Sequence, residues 1–137
     1  MFKYVLSGLF LALTITAARA ESPQLLCLQS QSTVEETKCL SKELDKSKAV
    51  LSEYLKAAQA QIDRQNAGKP QLAAVQNEWE KYRFDQCQNV YDYLEAGTYR
   101  YRAGLECEIE ATRSRTHEIW SAYMRTFGTS EPIRPEP

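Results

Sequence analysis

Four cysteines, Cys27, Cys39, Cys87 and Cys107, carry the most reactive side chains of this 137-residue chain. Their spacing limits the chemistry open to them. No C-x-x-C occurs, so a thioredoxin-type redox pair and a zinc knuckle both lack their usual ligand pattern. No C-x-x-C-H occurs either, which disfavours covalent haem attachment. Structural disulfides remain, with three connectivities possible. Catalytic groups are otherwise scarce. The one histidine, His117, sits in a charged stretch with Arg113, Arg115 and Glu118 and reads as a surface residue. Glu106 and Glu110 share a helix face, but like carboxylates on an exposed face require no catalytic role. No Ser-His-Asp set, H-E-x-x-H, P-loop or G-x-G-x-x-G is present. The expectation is a protein without catalysis, metal or cofactor.

The other unusual group is binding material. Tyr91, Tyr93, Tyr99 and Tyr101 alternate with Arg100 and Arg102 around the turn at Gly97. Tyrosine and arginine are enriched in binding hot spots because each offers large contact area and a polar handle. A segment held rigid loses less entropy when a partner docks on it. These six residues are the candidate partner-facing element. The plainer alternative is that the tyrosine rings cover the end of a thin bundle.

The charge balance narrows the partners. Seventeen Lys+Arg against eighteen Asp+Glu give a net charge of −1. Phosphate binding needs a clustered cationic surplus, so nucleic acid is not expected. Five Gly and five Pro are too few for a turn-rich sandwich or barrel. The first twenty residues read as a cleavable secretory signal. Lys3 supplies the positive start, Val5 to Ala18 is apolar, and Ala18-Arg19-Ala20 suits a peptidase cut before Glu21. The run is short of the ~20 residues that span a bilayer. Leu25-Leu26 before Cys27 does not suit a lipid attachment site. The expected mature chain is therefore periplasmic or secreted, carries a charge of −3 without Lys3 and Arg19, and inserts in no membrane. Roughly 38% of it is apolar, a lean core in an oxidising compartment, where disulfides are expected.

Three helices must position these residues. Ser32 with Glu35, or Thr33 with Glu36, reads as a capping box opening the first. From there to about Gln65, Leu40, Leu44, Leu51, Leu55, Ala58 and Ile62 recur at helical spacing, with one weak step at Ser47. Gly68 and Pro70 mark a stop and a new start. The second helix is expected from about Pro70 to Leu94, with Leu72, Val75, Trp79, Gln86, Val90 and Leu94 on one face. Thr98–Arg102 alternates and reads as briefly extended. The third helix is expected from about Ala103 to Phe127, with Leu105, Ile109, Thr112, Thr116, Ile119, Trp120 and Tyr123 inward. Three prolines make 128–137 a loose, disordered tail. The domain proper is thus 21–127, an all-α, small antiparallel three-helix up-down-up bundle stapled by two disulfides.

Geometry favours one pairing of the cysteines. Cys39 lies roughly 9 Å along the first helix, within reach of an extended 27–32 folding back. Cys87 lies roughly 10 Å from the end of the second helix, and the returning chain brings Cys107 to the same level. Cys27–Cys39 and Cys87–Cys107 are the expected bridges, each stabilising by about 3 kcal/mol in the chain-entropy model.

The sequence also resembles a known family. Trp79-x3-Arg83-x-Asp85-x-Cys87, then Ala96-Gly97-Thr98, then Cys107-x4-Thr112-x2-Arg115-Thr116-x-Glu118-Ile119 is similar to the pattern of LprI-like lysozyme-inhibitor domains. Cys27 and Cys39 match the first two cysteines of that family. Phe84 interrupts the family's Arg-Asp pair, and its double-glycine turn is reduced to Ala96-Gly97. The resemblance implies binding to a lysozyme or related peptidoglycan hydrolase, with no chemistry of its own. In that setting Arg100 or Arg102 could approach the enzyme's acidic cleft while tyrosines fill its sugar subsites. A cationic lysozyme would be drawn weakly by the net negative charge. An envelope scaffold, or an immunity-type protein for a different toxin or hydrolase, is the alternative. Trp79, Arg83 and Cys87 stack at i, i+4, i+8 and read as structural. Trp79 suits a core aromatic, and Arg83 suits a carboxylate on a neighbouring helix, Asp85 or Glu118 being the candidates. Gly97, Thr112 and Arg115 belong to the same structural set.

Overall fold

A computed structural model describes residues 27–65, 71–125 and 132–137. The expected signal and its cut site, and the stop-and-start at Gly68 and Pro70, lie outside them. Three helices follow in order: α1 (Thr33–Gln65), α2 (Leu72–Tyr93) and α3 (Tyr99–Tyr123). No strand occurs among the described residues, so the fold is all-α as the periodicity predicts. No helix among them is long and apolar enough to cross a membrane.

α1 starts where its capping residues place it. The Ser32 hydroxyl accepts the Glu35 amide at 3.3 Å, and the Glu35 carboxylate accepts the Gln31 amide at 3.0 Å. Two otherwise unpaired donors are thereby satisfied at the helix start. The weak step at Ser47 is buried, its hydroxyl donating to the Glu43 carbonyl at 3.0 Å.

The last helix is the centre of the architecture. α3 packs against both others, whereas α1 and α2 make few contacts with each other. Paired positions ascend together in α1 and α3: Glu36 meets Arg102 and Glu43 meets Arg113. They run in opposite senses in α2 and α3, where Cys87 joins Cys107, Arg83 meets Thr112 and Gln76 meets Arg115. That register is the one an up-down-up course would produce. Two apolar clusters fill the α1–α3 interface. Leu40, Leu44, Ile109 and Cys27 form one. Leu51, Tyr54, Ala58, Ile62, Ile119, Trp120 and Met124 form the other, joined by Leu72 from the start of α2.

Both expected disulfides are present. Cys27–Cys39 and Cys87–Cys107 have Cα–Cα separations of 5.9 and 5.5 Å, inside the ordinary range. No cysteine is free.

Three local expectations are corrected. First, Thr98–Arg102 is not extended, because α3 already begins at Tyr99. Helical spacing is what lets Arg102 reach Glu106 four residues on, at 2.8 Å. Second, the inward face of α2 is rotated from the one the apolar residues suggest. Leu72, Gln76 and Cys87 are buried, whereas Val75 and Gln86 are exposed. The bridge and the polar partners on α3 decide the rotation, since the apolar residues of α2 are spread around it, with Val75, Tyr82, Phe84 and Tyr93 exposed. Third, of the expected loose tail 128–137, residues 128–131 lie outside the described residues, and 132–137 do not hang free. Ile133 donates its amide to the Met124 carbonyl at 3.0 Å, and the chain then runs back over α1 and α3. Side-chain donors on both helices capture its carbonyls, which a count of prolines does not reveal.

Candidate functional site

The aromatic-cationic cluster lies at the turn joining α2 to α3, beside the start of α1. The chain reverses through Glu95 and Gly97, whose φ angles are 46° and 98°. The left-handed region costs glycine little, which accounts for Gly97. The Cys87–Cys107 bridge closes the base of this tip.

The six candidate residues divide into two groups. Tyr93, Tyr99 and Tyr101 face outward at 84%, 60% and 53% exposure. Arg100 and Arg102 are turned in, each side chain only 22% exposed. The Arg100 guanidinium lies 3.7 Å above the Tyr91 ring and donates to the Glu95 carbonyl, with Asp92 at 3.4 Å. Tyr91 in turn packs edge-on against Tyr101, centroids 5.3 Å apart. Hydrogen bonding with Tyr101, then burial, pushes the Tyr91 hydroxyl above its ordinary value. Arg102 bridges α3 to α1, with Glu36 at 2.6 Å and Glu106 at 2.8 Å. Both guanidinium groups thus have internal carboxylate partners, and any reach toward an external acid competes with these. Arg102→Ala is expected to destabilise by about 1 kcal/mol at low salt, and by less at high salt, because charge pairs near water are modest and screened. Thermal unfolding followed by circular dichroism across a salt series measures this.

Tyr101 also lines a groove between α1 and α2, floored by α3. Thr37 and Ser41 form one wall, Phe84, Gln88 and Tyr91 the other, with Gly104 and Leu105 beneath. Its volume is about 270 Å³. At the open end it continues past Thr37 and Tyr101 to Val34 and Lys38. This groove exists because α1 and α2 each pack on α3 and not on each other. Sequence reasoning missed Phe84 as part of it. Its signal was an apolar ring on the otherwise polar side of α2, between Arg83 and Asp85.

The remaining motif residues form a polar seam fastening α2 to α3. Arg83 donates to the Thr112 hydroxyl at 3.2 Å, and Thr112 donates to the Glu108 carbonyl at 2.7 Å. The carboxylate facing Arg83 is Glu108 on α3, 3.7 Å from Nε. It is neither Asp85, which is exposed, nor Glu118, which pairs with Arg115 at 2.9 Å. At 3.7 Å the contact is ionic without a hydrogen bond, and the buried Arg83 Nε has no hydrogen-bond acceptor. Arg115 also donates to the side-chain amide oxygen of buried Gln76 at 3.2 Å. The Arg83 and Arg115 guanidinium carbons sit 5.3 and 5.7 Å from the Trp79 ring centroid, within cation–π range. Trp79, Arg83, Thr112 and Arg115 therefore meet at one interface. Asp85 and Gly97 stand apart from it.

His117 is exposed and lies 2.8 Å from Glu136. Among the described residues, no three His, Cys, Asp or Glu side chains gather in a way that could hold a metal ion.

Fold and surface together define a small all-helical domain, clamped by two disulfides, that presents an outward aromatic edge beside a shallow groove. The chain belongs to the lysozyme inhibitor LprI family, whose family model matches residues 27–119. That span begins at the first bridged cysteine and takes in the seam, the tip and the groove. No curated protein and no solved structure matches the chain.

Proposed function

We propose that this chain is an exported lysozyme inhibitor that acts by binding the enzyme and performs no chemistry itself. The observation that carries this reading is the family match over 27–119. The partner-facing element is the tip. Tyr93, Tyr99 and Tyr101 supply contact area, and Phe84 extends the apolar surface along the groove. Arg100 and Arg102 act as positioning residues, holding the tip against Tyr91 and Glu36. A tip ordered before binding loses little entropy on docking.

The test uses the oxidised protein against lysozymes of several classes. Changing Tyr93, Tyr99 and Tyr101 together to alanine is expected to weaken inhibition by roughly a hundredfold or more, since aromatic hot spots commonly contribute ~2 kcal/mol or more each. Helicity should be unchanged, because all three rings are outside the core. Arg100→Ala with Arg102→Ala is expected to weaken inhibition less and to lower thermal stability as well. Full inhibition by the triple tyrosine variant would remove the tip from the reading. Absence of inhibition across all lysozyme classes by the unaltered protein would remove the reading itself.

A further inference from the structure

The segment Pro132-Ile133-Arg134-Pro135-Glu136-Pro137 has P-x-x-P spacing, and the helices grip it in an unusual way. The Trp120 indole N–H on α3 donates to the Arg134 carbonyl at 2.9 Å. The Tyr54 hydroxyl on α1 donates to the next carbonyl, that of Pro135, at 2.7 Å. Proline-rich segments lack internal backbone hydrogen bonds, so their carbonyls are free to be read by aromatic donors lining a groove. Side chains are read as well. The Arg134 guanidinium lies 5.1 Å from the Tyr54 ring centroid, donates to the Glu53 carbonyl at 3.2 Å and sits 3.6 Å from the Glu53 carboxylate. Glu136 meets His117 at 2.8 Å. Simple coverage of an apolar face needs none of these paired polar contacts. Pro137 also lines a cleft of about 360 Å³ with Ser47, Val50 and Arg113, beside the bound segment.

We propose that the α1–α3 groove over Tyr54 and Trp120 is a recognition site for proline-rich segments of the type Pro-x-Arg-Pro-Glu, bent as Ile133 and Arg134 are here, and that residues 132–137 are the ligand it holds in cis. The site is separate from the tip and does not depend on the inhibitor reading. A tethered ligand has a high effective concentration, on the order of millimolar for a short tether, so a free segment must compete with it. Weakening the tail opens the site to a segment from another chain.

The experiment uses the full chain carrying ¹⁵N-tryptophan, titrated with the synthetic peptide PIRPEP. Trp120 reports on the groove, and Trp79, in the α2–α3 seam, is the internal control. In the Arg134→Ala protein the peptide is expected to shift the Trp120 indole signal saturably, with an apparent Kd roughly fivefold or more below that of the unaltered protein, because the cis competitor is weakened. A peptide with alanine in place of its arginine is expected to bind several-fold more weakly, having lost its charged contact. Should Arg134→Ala lower helicity, Pro135→Gly serves in its place, and millimolar peptide must still move the Trp120 signal of the unaltered protein. No saturable Trp120 shift in any of these proteins, equal binding of the arginine-free peptide, or equal shifts at Trp79 would each overturn the proposal.

Discussion

Replacing Cys87 and Cys107 together by serine is expected to release α2 while leaving α1 and α3 packed. The bridge spans twenty residues, and its loss costs about 3 kcal/mol in the chain-entropy model. That loss falls on a helix with little else to hold it. α2 buries only Leu72, Gln76 and Cys87, and its other fastenings to α3 are the polar contacts of Arg83, Thr112, Gln76 and Arg115. Such contacts each contribute about 1 kcal/mol net. Hydrogen exchange is the direct readout. Amides of residues 72–93 should exchange roughly a hundredfold faster, as about 3 kcal/mol implies, while those of Leu40–Ile62 and Ile109–Ile119 stay protected. Uniform loss of protection along all three helices would mean that α2 is integral to the core, contrary to the packing described. The Cys27–Cys39 bridge closes a loop of twelve residues and ties only the lead-in to α1, so its removal should leave α2 protection intact.

Ile109→Ala should have the opposite pattern, a loss shared by the whole molecule. Ile109 is fully buried in a cluster with Leu40, Leu44 and Cys27, at the contact of α1 with α3. Truncation removes transfer energy and leaves a cavity, costing about 3 kcal/mol within a usual range of 2–5. For a domain of this size that lowers Tm by roughly 15 °C. Ile109→Val removes one methylene and should cost about 1 kcal/mol. Differential scanning calorimetry separates the two cases. Ile109→Ala should keep a single cooperative transition at lower temperature. A broad or split transition for it would contradict a continuous α1–α3 core.

Much of this architecture was legible because it rests on local rules. α1 shows a Gly- and Pro-free run with leucines at helical spacing and a capping box, and its bounds follow. The disulfide pairing follows from helix rise and the lengths of the connecting segments. The rotation of α2 was less legible, because polar partners set it. Gln76 looks like a solvent-facing residue until Arg115 is placed opposite it, and the partners of Arg83, Thr112 and Glu108, appear only once α3 is placed. The tip was found by composition, yet composition does not distinguish a guanidinium facing a partner from one stacked on Tyr91 or paired with Glu36. The docked segment was hidden for a similar reason. Its prolines signal the absence of a helix, and only the three-dimensional positions of Trp120 and Tyr54 show what takes its place.

The central place of α3 has a consequence in time. The element that completes both interfaces is the last of the three to be synthesised, so α1 and α2 must wait for it with their inward faces uncovered. Contacts such as Glu36 with Arg102, sixty-six residues apart, close late and slowly. Cys27 and Cys39, only twelve residues apart, can be oxidised long before Cys107 is available to Cys87. Early closure of that small loop removes two thiols from the pool of wrong partners. The order in which the chain emerges thus guards the pairing that the finished structure requires.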